Sequence, residues 1–127
     1  QWLWFLGVSE MRIEIDKNKI PYVFTFKSRS EIYLLRIKHF KSNNRIYIDV
    51  MDEGGELLLE NEKLVYGRPI GCFIAKDENN NINNEFLNCY IVPLSFDKKE
   101  VPITFENFCE TIFLEYFDIF ESGEGNV

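Results

Sequence analysis

The chain has 127 residues, with 14 basic and 21 acidic side chains and a formal net charge of −7. That length fits one domain with one hydrophobic core, and 46% apolar residues argue against wholesale disorder. The acidic balance argues against general binding to DNA, RNA or anionic membrane, where basic surface supplies most of the attraction.

Two further counts point to β structure. Ala75 is the only alanine, while Ile, Val, Phe, Tyr and Trp together make up about a third of the chain. The longest apolar run, Trp2 to Leu6, is far shorter than the ~20 residues a membrane-spanning helix needs.

The opening QWLWFLGVSE has no basic segment, and its apolar run is too short for a signal peptide. Met11, followed by Arg-Ile-Glu-Ile-Asp, reads as a natural start. Residues 1–10 are therefore expected to be an arm or tag, or else the first strand of the same fold. As an arm, Trp2, Trp4, Phe5 and Leu6 would dock apolar side chains on a neighbour.

Met11 to Asp16 alternates with period 2 and predicts a strand, followed by a turn through Pro21. Tyr22 to Lys27 predicts a second strand, with Tyr22, Phe24 and Phe26 on one face. A third runs from Glu31 to Phe40 after a short polar link. Lys41 to Asn44 is a turn, and Arg45 to Met51 gives the cleanest alternation in the chain. Asp52-Glu-Gly-Gly55 signals a hairpin leading to a strand over Glu56 to Glu60, because glycine reaches the positive φ such turns need.

Ile70 to Ile74 is a short apolar segment. The asparagine-rich stretch Asp77 to Glu85 predicts a mobile exposed loop. Phe86 to Leu94 is again apolar, and Pro93 suits a sheet edge. From Thr104 to Phe120 the apolar spacing is that of an amphipathic helix capped by Thr104, although Thr111 to Phe117 also reads as a strand. Periodicity favours the helix. Residues 121–127 are expected to fray, and 11–120 to form a single β-rich domain. The strand spacing predicts an all-β, mainly antiparallel barrel or sandwich.

No catalytic, cofactor-binding or metal-binding motif emerges. Cys72, Cys89 and Cys109 lie 17 and 20 residues apart, an odd set that reads as small core hydrophobes in a reducing compartment. His39, the only histidine, has no ligand-spaced partner and reads as structural. The carboxylates Glu14, Asp16, Asp49 and Asp52 read as solvated faces and turns. There is no phosphate-binding glycine loop and no nucleophile elbow. No enzyme activity and no cofactor are therefore expected.

In chain order, the segments resemble the small baseplate plug family of contractile-tailed phages. The resemblance runs through Ile20-Pro-Tyr-Val-Phe-Thr-Phe26, Tyr33-Leu-Leu-Arg-Ile37 and Asn44-Arg-Ile-Tyr-Ile-Asp-Val-Met-Asp52. It continues through Glu53-Gly-Gly-Glu-Leu57, Leu64-Val-Tyr-Gly-Arg-Pro-Ile70 and Asn107-Phe-Cys-Glu-Thr-Ile-Phe-Leu-Glu-Tyr116. Two positions depart: the family commonly has a glycine near Cys109 and a tryptophan near Tyr47.

The resemblance implies a strand over Glu110 to Phe117, preceded by one helical turn at Phe105 to Cys109. It further implies a structural virion protein of the tail baseplate, assembled in the host cytoplasm. Its partners would be the hub or spike, the tail tube initiator and the end of the tape-measure protein, within a symmetric assembly and without nucleic acid or membrane. Trp2, Trp4, Phe5 and Leu6 of the arm and the stripe Phe113, Phe117 and Phe120 are the expected contact residues. The reading that stands beside it is a free-standing binding module, OB-like or carbohydrate-binding.

Overall fold

A computed structural model describes residues 10–28, 31–71 and 89–117. Among the described residues, seven strands form two antiparallel sheets. The larger sheet has the order β2-β3-β4-β5, from Tyr22–Ser28, Glu31–Phe40, Arg45–Asp52 and Leu57–Lys63. The smaller has the order β1-β7-β6, from Glu10–Arg12, Ile112–Phe117 and Tyr90–Ser95. Neither sheet closes on itself, so the expected barrel or sandwich is a small sandwich.

Alternation builds the core. Tyr33, Leu35 and Ile37 on β3 and Ile46, Ile48 and Val50 on β4 turn one way and are buried. They meet Ile91, Ile112 and Leu114 of the smaller sheet, with Phe108 and Ile103 in the same cluster. Phe108 is fully buried. Burial of such a side chain contributes about 1.5–3 kcal/mol.

The strands from Tyr22 to Asp52 match the sequence reading to within one residue at each end. The Asp52–Glu56 turn forms as expected. Asp52 Oδ1 accepts from Glu56 N at 2.8 Å, Gly55 N donates to Asp52 O at 2.9 Å, and Gly55 takes φ +94°. Pro93 lies on β6, an edge strand. The segment 77–85 lies outside the described residues.

Two expectations are corrected. The strand predicted over Met11–Asp16 ends at Arg12. Ile13 N still bonds Leu114 O at 2.9 Å, but the chain then turns into a one-turn 3-10 helix at Lys17–Lys19, capped by Asp16. The helical periodicity over 104–120 is not a helix among the described residues. One helical turn forms, from Phe108 N to Thr104 O at 3.0 Å, and then β7 begins at Ile112.

Asn107 ends that turn. Its carbonyl accepts from the amides of Glu110, Thr111 and Ile112, and Cys109 adopts φ +68°. That left-handed conformation breaks a right-handed helix.

Candidate assembly surface

The groups that could carry chemistry resolve into structural roles. His39 Nε2 lies 2.8 Å from Asn44 Oδ1, and its ring lies 5.0 Å from the Phe105 ring, so it joins the β3–β4 turn to the 104–107 turn. Cys89 is buried and Cys109 half-buried. Burial pushes the Cys109 thiol up to about 11, against the pull of nearby Lys17, so it stays protonated. Cys72 lies outside the described residues. Among the described residues, no cluster of His, Cys, Asp and Glu could hold a metal ion.

Asp49 departs from the expected solvated face: it is 1% exposed. Arg36 Nη1 reaches its Oδ2 at 2.9 Å and Lys38 Nζ at 3.0 Å, while Asn61 N donates to Oδ1 at 2.7 Å. Lys38 also donates to Asn61 Oδ1. Burial alone would raise the Asp49 carboxyl. The bonds from Asn61, Lys38 and Arg36 together bring it below its ordinary value. The carboxylate thus ties β3, β4 and β5 together from the outer face.

Several large apolar side chains are exposed among the described residues. Met11 is 62% exposed, and Val23, Leu57 and Leu58 are also exposed. Phe96 is 97% exposed, in the turn after β6 where Lys98 N bonds Ser95 O at 3.2 Å. Asp97 Oδ1 fixes the same turn by accepting from Ser95 Oγ at 2.7 Å and Lys99 N at 3.2 Å. Phe96 is therefore presented to solvent on a hydrogen-bonded turn.

Of the expected contact residues, Trp2, Trp4, Phe5, Leu6 and Phe120 lie outside the described residues. Phe113 and Phe117 share the outer face of β7. Phe113 is half-buried beneath the Arg12 guanidinium, 3.8 Å from its ring centroid, while Phe117 is buried beside Val92. The sequence reading passed over Phe96. Its signal was an aromatic residue inside the turn-forming run Ser95-Phe-Asp-Lys-Lys99, where no strand could bury it.

The chain matches the family model described as cyanophage baseplate Pam3 plug gp18, over residues 11–119. It belongs to this phage baseplate plug family. The match spans every strand of both sheets except the first residue of β1. The family is structural and resides in the virion tail baseplate, in association with other baseplate components. No curated protein and no solved structure matches the chain.

Proposed function

We propose that this chain is a non-enzymatic plug of a contractile tail baseplate. It meets the hub or spike, the tail tube initiator and the end of the tape-measure protein through apolar side chains on a rigid β scaffold. Assembly takes place in the host cytoplasm, where Cys89 and Cys109 stay reduced. The residues before Glu10, which opens β1, act as an arm on a neighbour, and the domain runs from β1 to residue 120.

Phe96 carries this reading. A phenylalanine that is 97% exposed on a braced turn contributes nothing to this chain's own core. Aromatic side chains are enriched at the centres of protein interfaces, where a partner's pocket covers them.

A cryo-EM map of tail particles from the native source tests the proposal. Density for this chain at the axial end of the tail tube, with Phe96 covered by another protein, is the expected result. Absence of the chain from every particle class overturns it and moves the assignment to a free binding module.

A further inference from the structure

A sheet edge offers unpaired N–H and C=O groups to any strand that comes alongside. Among the described residues this sandwich has four edges, and three are closed to such pairing. β1 is three residues long. β6 is covered on its open side, where Pro93 O accepts from Gly67 N and Ile91 O from Ile70 N, both at 2.9 Å. β5 has two register shifts against β4, a positive φ at Asn61, and the charged residues Glu60, Glu62 and Lys63. β2 has none of these protections. Its ladder with β3 is regular from Tyr22 to Ser28, and its one charge is Lys27.

The outward groups of β2 can be identified. Leu64 N bonds Ile46 O and Asp52 N bonds Glu56 O, so the even residues of β4 turn their peptide groups towards β5. Its odd residues then face β3, and hydrogen bonding alternates along each ladder. Following the pairs Asp49↔Arg36 and Leu35↔Phe24 across the sheet, Tyr22, Phe24 and Phe26 bond inward to β3. Val23, Thr25 and Lys27 direct theirs outward. Among the described residues, these three make no backbone hydrogen bond outside the sheet.

We propose that β2 is a docking edge, at which Val23, Thr25 and Lys27 pair with an extended, acidic strand of another baseplate protein. The inference rests on the plug reading. Charge selects the occupant. The outer face beside this edge carries Lys27, Arg36 and Lys38 against one carboxylate, Asp49, in a chain whose total is −7. A second copy of β2 paired antiparallel across Thr25 would set Lys27 opposite Val23 and gain none of the attraction that an acidic strand gains from this face.

The test uses the full chain and the variants Thr25→Pro and Thr25→Ala. Proline removes one outward N–H and no ladder bond, a change that edge strands tolerate. Thr25→Ala keeps the N–H. Tail particles are expected to hold wild-type and Thr25→Ala chains equally, and at least tenfold less Thr25→Pro chain. Hydrogen exchange of the wild type is expected to show the amides of Val23, Thr25 and Lys27 open in the free chain and protected in particles.

If Thr25→Pro fails to fold, that exchange result decides alone. Wild-type chain in particles with Thr25→Pro incorporated equally, or with no new protection on β2, overturns the docking edge and leaves the plug reading standing. Concentration-dependent protection of β2 in the free chain assigns the edge to a second copy and overturns the proposed partner. Absence of the wild-type chain from particles overturns the plug reading itself.

Discussion

Arg36 and Asp49 are direct cross-strand partners on β3 and β4, and their side chains meet at 2.9 Å on the outer face of the larger sheet. The pair is uneven. The Arg36 side chain is 41% exposed, whereas that of Asp49 is 1% exposed. Arg36, Lys38 and the Asn61 amide together replace the water that the carboxylate gives up. Such a centre contributes little net stability against an apolar alternative, but breaking it is costly because the remaining charges lose their partner.

Asp49→Ala is therefore expected to destabilise the fold by about 2–4 kcal/mol. Urea unfolding measures this directly. A loss under about 0.5 kcal/mol, the range of ordinary surface substitutions, would show that the centre is a surface contact of no structural weight.

Because the Asp49 carboxyl lies below its ordinary value in the folded chain, its contribution is fully present above the unfolded value near 4. It fades as pH falls through the lower folded value. The wild type is expected to be more stable than Asp49→Asn at neutral pH, with the gap narrowing towards about pH 2.5. Paired denaturant titrations at the two pH values check the sign.

The same residue marks where the sequence was legible and where it was not. Alternation placed β2, β3 and β4, and on β4 the structure buries one alternating face, Ile46, Ile48 and Val50. Alternation also assigned Asp49 to the opposite, wet face. The face is correct, but Asp49 is buried with cations eleven and thirteen residues away, Lys38 and Arg36 on the neighbouring strand β3, which no local pattern reveals. β7 was obscured for another reason. Ile112 and Leu114 pack into the main core while Phe117 packs with Val92 on the other face, so the strand is apolar on both sides and loses its period of two. Phe96 was missed because exposure of an apolar side chain is decided by its turn, which strand periodicity does not address.

The Asp52–Glu56 turn separates two adjacent glycines. Gly55 has φ +94°, where a side chain is strained even though its surroundings are open. A Cβ on Gly54 would meet Asp52 Oδ1 at 3.5 Å, an ordinary contact. Gly55→Ala is expected to cost about 1 kcal/mol and Gly54→Ala less than half as much. Equal losses in thermal unfolding would show that the turn does not select glycine at position 55.

Cys109 holds φ +68°, in the left-handed region that favours glycine. Cys109→Gly relieves that backbone strain but gives up a half-buried side chain, two effects of about 1 kcal/mol each. Cys109→Gly is expected to fall within about 1 kcal/mol of the wild type, with Cys109→Val at least about 1 kcal/mol less stable than the glycine variant, because a β-branched side chain is poorly accommodated at positive φ. Urea midpoints of the two variants, measured side by side, check the order.

Phe96 separates stability from assembly. Its ring is 97% exposed, so Phe96→Ser removes almost no buried area, and its turn is held by Ser95, Asp97 and Lys99 rather than by the ring. The unfolding free energy should change by less than about 0.5 kcal/mol. If a baseplate partner covers the ring, the same substitution removes an aromatic anchor, typically worth more than about 1 kcal/mol and so more than about fivefold in affinity. The amount of Phe96→Ser chain in purified tail particles, set against its wild-type thermal stability, reads both terms at once. Equal incorporation would remove Phe96 from the contact surface and leave the β2 edge as the site through which the plug meets its neighbours.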